Sequence, residues 1–261
     1  MTPVFLSVAG SDCSAGAGLQ ADLKTGFALG CYPLTAVTCV VNEVPGKVAG
    51  IVPMAADFVA AQVRLCLESF PVAAVKLGML YSPEIVHAVA AELRGKNLPV
   101  VTDPVMIATA GEPLMQREAV RVYEEEIIPL TTVLTPNRDE LEALLGCAPL
   151  TDVAALQQAA EALCARYGCA VLAKGGHVGG NDCTDLLARP AAPTLQRSHA
   201  RTTGVSTHGT GCTLSSAVAA YLAQGKSLEE SFERGLDYVA AAIARSHRLG
   251  QQWALNHAAG H

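Results

Sequence analysis

The chain carries little charge and gathers none of it: Asp, Glu, Lys and Arg make up 16% of the 261 residues, and no run of Lys or Arg occurs. With a formal net charge of -6 there is no basic face to neutralise a phosphate backbone, which excludes nucleic acid as an expected partner. No apolar stretch approaches the roughly 20 residues that cross a bilayer. The start, Met1-Thr2-Pro3-Val4-Phe5-Leu6, lacks the basic region of an export signal. The expectation is a cytoplasmic protein with no membrane partner. Cysteines at 13, 31, 39, 66, 147, 164, 169, 183 and 212 include no Cys-x-x-Cys pair and no matching histidine spacing, so they read as reduced, mostly buried thiols rather than a zinc site. Repeats, linkers and low-complexity tracts are also missing, so residues 1–261 are expected to form a single domain.

What is present is apolar. Hydrophobic residues account for 51% of the chain, which suits central strands covered on both faces. Residues 4–9, 34–41, 73–79, 99–103, 132–135 and 170–173 read as strands. Residues 17–29, 55–69, 83–93, 117–128, 139–145, 153–167, 211–223 and 228–247 read as helices, several with Ser, Thr or Asp just before them. Residues 182–197 look like a short β-hairpin interruption. Such alternation predicts an α/β fold, a mainly parallel sheet with helices on both faces, and ligands at the carboxyl ends of its strands. The distinctive loops fall at that end: 10–18, 42–47, 78–79, 103–111, 135–137 and 174–180.

Thr207-His208-Gly209-Thr210-Gly211-Cys212-Thr213, followed by the apolar run 214–220, has the composition of a tight turn opening a helix. Free N–H groups and the helix dipole converge there and offer a seat to an anion, although glycines also cap turns that bind nothing. Gly10-Ser11-Asp12-Cys13-Ser14-Ala15-Gly16-Ala17-Gly18 lacks the G-x-G-x-x-G spacing, and no G-K-[ST] follows it. It can bring backbone close to a small polar ligand or serve as a plain strand-to-helix turn. Asn137 and Glu140 form a capping-box pattern, which accounts for them without a ligand; a hard cation such as magnesium, held mostly through water and one or two carboxylates, fits the same strand end. Asp103 and Lys174 end two further strands, as a turn aspartate and a snorkelling lysine or as functional groups. Together these residues supply what phosphoryl transfer needs: an anion cradle, a lysine, carboxylates for a metal, and glycine-lined loops for two substrates.

The segments just quoted, with Gly18-Leu19-Gln20-Ala21-Asp22-Leu23-Lys24-Thr25, Val75-Lys76-Leu77-Gly78-Met79-Leu80, Asp103-Pro104-Val105-Met106 and Lys174-Gly175-Gly176-His177, resemble the hydroxymethylpyrimidine/phosphomethylpyrimidine kinase family of the ribokinase-like superfamily. The resemblance runs in order from about residue 4 to about residue 247, and its T-H-G-T-G-C-T-L-S string is specific to this branch. It implies a three-layer α/β/α fold, usually a homodimer, that uses ATP and magnesium to phosphorylate 4-amino-5-hydroxymethyl-2-methylpyrimidine and then its monophosphate, for thiamine biosynthesis. By motif position Asn137 and Glu140 would organise magnesium and water, with Asp103 as a second carboxylate. Lys174 and Thr207 would face ATP. Gly209, Thr210, Gly211 and Cys212 would form the anion hole, with Cys212 as the base, its thiol acidified by the helix N-terminus. Gly10, Asp22, Val41 (through its backbone), Glu43, Met79 and Val105 would surround the pyrimidine. Glu43 stands where the family usually has a glutamine, and Ala108-Thr109-Ala110-Gly111 where it often has A-K-S-G. A glutamine amide both donates and accepts, whereas an ionised glutamate only accepts. Three alternatives are a pyridoxal kinase of the same branch, a kinase restricted to the monophosphate, and a non-catalytic pyrimidine-binding sensor.

Overall fold

The computed structural model describes residues 1–106, 114–176, 182–202, 204–205 and 207–260. Parts of the expected loops 103–111 and 174–180, the Ala108-Thr109-Ala110-Gly111 segment and His177 lie outside the described residues.

The strands are β1 (Val4–Asp12), β2 (Tyr32–Val44), β3 (Lys47–Pro53), β4 (Val72–Leu77), β5 (Val100–Thr102), β6 (Val133–Leu134), β7 (Ala170–Ala173), β8 (Asp182–Arg189), β9 (Ala192–Ala200), β10 (His247–Leu249) and β11 (Gln252–Ala254). The helices are α1 (Gly18–Ala28), α2 (Ala56–Ser69), α3 (Pro83–Leu93), α4 (Arg117–Glu126), α5 (Arg138–Leu145), α6 (Val153–Tyr167), α7 (Thr210–Ala223) and α8 (Leu228–Ala244). One sheet runs in the order β3-β2-β1-β4-β5-β6-β7-β8-β9. Its interior pairings from β2 to β7 are parallel; β3, β8 and β9 join antiparallel at the two edges.

Period-two alternation sends neighbouring strand residues to opposite faces. Leu6, Val75 and Leu77 pack with Val63 of α2, Ile85 of α3, Tyr123 of α4, Leu141 of α5 and Leu156 of α6. Phe5, Ala74 and Val101 pack the other way, with Leu214 and Val218 of α7 and Phe232 and Leu236 of α8. These are the three α/β/α layers of the ribokinase-like architecture that the resemblance implies.

Local chemistry sets the boundaries. Ser82 caps α3 by accepting from the Ile85 N–H at 3.4 Å, with Pro83 behind it, and Asp152 caps α6 by accepting from Ala155 at 2.8 Å. Left-handed glycines 146 and 168 end α5 and α6.

Three regions differ from the sequence reading. The second strand continues to Val44 and turns back as β3, a hairpin whose exposed residues hid its alternation. The β-hairpin expected at 182–197 is present, but it is longer and extends the main sheet rather than interrupting the alternation. The last helix stops at Ala244, and the chain continues as the β10–β11 hairpin and a short 3-10 helix, His257–Gly260.

Candidate active site

At the carboxyl ends of the parallel strands lies a cavity of about 290 Å³. Of the expected site residues, Gly10, Val41, Glu43, Met79, Asp103, Val105, Asn137, Glu140, Lys174, Thr207 and residues 209–212 all border it. The strand order brings them together: β1, β2 and β4 deliver the first group of loops, β5, β6 and β7 the second, and α7 enters between them.

Helix α7 begins without a side-chain cap, its N-cap Gly209 at φ +84°. A Cβ there would stand 1.8 Å from the Gly16 carbonyl oxygen, so only glycine lets the two loops touch. At Gly211 a Cβ would meet Lys174 Nζ at 3.1 Å and Asp103 Oδ2 at 3.6 Å, which places this backbone directly against the charged wall. The N–H groups of Gly211 and Cys212 have no hydrogen-bond partner among the described residues. They are the open donors expected of an anion seat.

The charged wall is compact. Lys174 Nζ donates to Asp103 Oδ1 at 2.8 Å and lies 4.0 Å from Glu140 Oε2. Asp103 also accepts from Thr135 Oγ1 at 3.1 Å. Asn137 and Glu140 complete the capping box at 2.8 and 2.9 Å, so their capping role is real, and the same box fixes the Glu140 carboxylate at the cavity. Burial pushes the Glu140 carboxyl upward; the Lys174 ammonium opposes this and the Asp103 carboxylate adds to it. Among the described residues no cluster of three or more His, Cys, Asp or Glu is arranged to hold a metal ion. Two hard carboxylates beside an anion seat do fit magnesium that arrives with phosphates, because that ion keeps several waters and takes only one or two protein oxygens.

Two expectations are corrected by the geometry. Asp22 does not border the cavity: it is fully buried, accepting from Ser7 Oγ at 2.5 Å, Ser216 Oγ at 2.6 Å and Lys76 Nζ at 2.9 and 3.0 Å. Its carboxylate is already filled, so it acts on the cavity through Lys76 and through its charge. The Cys212 thiol is not acidified either. Burial pushes it up to about 12; Lys76 and the Gly18 N–H pull it down, but Asp22 and Asp103 repel the thiolate. The N-terminal dipole effect, at most about 2 kcal/mol, is smaller than a deep desolvation penalty.

Glu43 sits at a register irregularity between β2 and β3. Burial and the Asp12 carboxylate raise its carboxyl, and His208 partly offsets them. Asp12 itself ties the first loop to the α7 loop. It accepts from the backbone N–H of Ser14, Gly16 and Ala17 at 2.6, 3.0 and 2.8 Å and meets His208 Nε2 at 3.1 Å. Burial works against this carboxylate, but His208, Ser14 and Ala17 outweigh it and hold Asp12 down at about 2.

Sequence reasoning missed Lys76, His208, Asp185, His199 and Arg201, all of which border the cavity. A lysine inside the apolar run Ala73-Ala74-Val75-Lys76-Leu77 was the available signal for the first. Asp185, His199 and Arg201 arrive on β8, β9 and the residues after them, so only the sheet topology reveals them.

A family profile described as phosphomethylpyrimidine kinase matches residues 12–257. The putative hydroxymethylpyrimidine/phosphomethylpyrimidine kinase 2 of Schizosaccharomyces pombe is 41% identical, covering 94% of this chain, and the chain spans 47% of that protein, about half its length. The hydroxymethylpyrimidine/phosphomethylpyrimidine kinase of Rhizobium meliloti is 41% identical over 95% of this chain and 93% of its own length. Bacillus subtilis pyridoxal kinase, solved as an ADP complex, superposes with a TM-score of 0.90 at 32% identity, covering 99% of this chain and 98% of that one.

Proposed function

The chain belongs to the phosphomethylpyrimidine kinase family, and from that premise we propose that it transfers the γ-phosphoryl group of ATP to 4-amino-5-hydroxymethyl-2-methylpyrimidine and then to the resulting monophosphate, for thiamine biosynthesis. The observation that carries this reading is the juxtaposition of the open N–H groups of Gly211 and Cys212 with the Lys174–Asp103–Glu140 wall.

In this reading Lys174 binds the ATP phosphates, exchanging part of its contact with Asp103 for a phosphate oxygen. Asp103 and Glu140 hold magnesium partly through water, and Asn137 and Thr207 complete the ATP side. When bound, the metal neutralises charge on the phosphates. In the turn of residues 209–212 the open N–H groups of Gly211 and Cys212 receive the transferring phosphoryl group, whose charge is spread over three oxygens in a loose transition state. The acceptor lies against Gly10, Val41, Glu43, Met79 and Val105, its hydroxyl oxygen in line with the γ-phosphorus. Cys212 receives the alcohol proton as the thiolate; because the thiol is held near 12, little thiolate exists at neutral pH, and positioning with charge stabilisation supplies most of the rate.

We also propose a cytoplasmic single-domain protomer that pairs as a homodimer. The edge hairpin supports the pairing: Val40 and Val52, opposite each other across β2 and β3, are exposed, as are Val44 and Phe58. An uncovered apolar edge is a surface that needs a partner.

ATP-dependent phosphorylation of the pyrimidine alcohol, its monophosphate and pyridoxal, measured in parallel with magnesium, tests the proposal. Two successive phosphates on the pyrimidine are expected. Turnover of pyridoxal alone moves the protein to the second reading, and no turnover with any acceptor leaves a binding protein. In the same assay Glu43→Gln is expected to change acceptor preference and leave the ATP KM unaltered; a change confined to ATP would remove Glu43 from the acceptor side.

A further inference from the structure

Lys76 is a fully buried charged group at the cavity that the proposed reaction does not yet use. Its side chain has no exposure, yet it borders the cavity. An ammonium has three N–H donors. The two oxygens of Asp22 account for two of them, at 2.9 and 3.0 Å, and the third has no partner among the described residues. The Asp22 carboxylate is itself filled, because it is shared with Ser7 and Ser216. One unspent donor on a desolvated cation is costly unless a ligand completes it.

The direction of that donor follows from α7. Ser216 reaches Asp22, and Cys212 lies four residues earlier on the same helix face, so the ammonium held by Asp22 sits beneath the first turn of α7. There the Gly211 and Cys212 N–H groups are also open. Lys174, by contrast, is engaged by Asp103 and Glu140. These two lysines of the cavity therefore have different partners.

We propose that the third N–H of Lys76 binds a phosphate oxygen of an acceptor that already carries one phosphoryl group. The assignment rests on the kinase reading above and adds the acceptor-side ligand that a second phosphorylation requires. An alcohol brings no charge to this point, whereas a phosphomonoester brings about -1.5 to -2. The carboxylates that face Lys76, Asp22 and Asp103, hold its charge in place without filling the third donor.

The test compares wild type with Lys76→Met and with the charge-neutral pair Asp22→Asn plus Lys76→Met, which avoids a stranded buried carboxylate. Loss of a charge-assisted hydrogen bond is expected to raise the ratio of monophosphate KM to alcohol KM by about 10–100-fold. An unchanged ratio, or a rise in the ATP KM alone, overturns the assignment. A second measurement uses wild type only. With lysine 15Nζ labelled, the ammonium that exchanges slowest with water is expected to shift on addition of inorganic phosphate or of the pyrimidine monophosphate, and not with the alcohol. If it stays still, Lys76 is not a phosphate ligand. Should wild type phosphorylate neither pyrimidine, the kinase reading falls, while the phosphate titration still decides the role of Lys76.

Discussion

Two lysine–carboxylate groups border one cavity and are finished differently. Lys76 and Asp22 have no exposure, and Asp22 is closed by Ser7 and Ser216. Lys174 keeps 15% exposure, touches Asp103 at 2.8 Å and reaches Glu140 only at 4.0 Å. A closed pair cannot trade its carboxylate for a ligand without leaving an uncompensated buried charge. An open pair can trade part of its contact for a phosphate and a metal. The same two residue types therefore give a fixed cation in one place and an exchangeable one in the other.

The largest expected effect breaks this comparison directly. Lys76→Met strands the Asp22 carboxylate and is expected to cost about 3–5 kcal/mol of folding stability, read as a lower urea midpoint at unchanged m. Lys174→Met leaves Asp103 and Glu140 buried but bordering the cavity and still held by Thr135 and the Asn137 N–H, so its midpoint should move less while kcat/KM falls about 10²–10³-fold. Equal stability losses in the two variants would mean that the two groups are energetically alike.

Next in size is Cys212→Ala, at the junction of the two groups. A proton acceptor acts in the transition state, so kcat is expected to fall about 10²-fold with the acceptor KM nearly constant. Undiminished turnover would reduce Cys212 to a residue that shapes the pocket. The open wall also has a pH signature. Because the Glu140 carboxyl is raised by burial, protons compete with magnesium for it, and magnesium affinity should climb as pH rises toward neutrality and then level. Glu140→Gln should weaken binding and flatten that climb; a climb preserved in the variant would assign it elsewhere.

What could be read from the sequence was local. Strand and helix periods, the Asn137–Glu140 box and the glycine turn before α7 each lie within a few residues, and the structure contains all of them. What escaped depends on distance along the chain. Lys76 makes sense only beside Asp22, 54 residues earlier. Asp22 itself was expected at the pyrimidine, because a motif gives position without saying which neighbours will fill the side chain. The helix terminus suggested an acidic Cys212, but the tertiary burial and the two aspartates that overrule it come from other elements. Asp185, His199 and Arg201 reach the cavity through antiparallel edge strands that strand-helix alternation does not forecast.

A third buried group, behind α7, extends the comparison to a side chain with no charged partner. His257 Nε2 lies 3.1 Å from Thr213 Oγ1, next to Cys212, and the His257 carbonyl accepts from Tyr238 Oη at 2.7 Å. Burial, then the charge of Lys24, pushes the imidazole down to about 4, against a smaller opposing pull from the Leu255 backbone. In the unfolded chain it titrates near 6.5. Between those values the unfolded state binds a proton that the folded state refuses, so stability is full above about 6.5 and is lost as pH falls toward 4. Wild-type Tm is expected to drop by a few degrees between pH 7 and pH 5, and His257→Gln, which cannot titrate but can still reach Thr213, should drop less. Identical slopes would show that the acid sensitivity belongs to other groups; a flatter slope would show that a buried imidazole held by neutral partners, the Thr213 hydroxyl and the Leu255 backbone, holds firm only while its own charge is absent, which the Lys76–Asp22 pair avoids by burying both charges together.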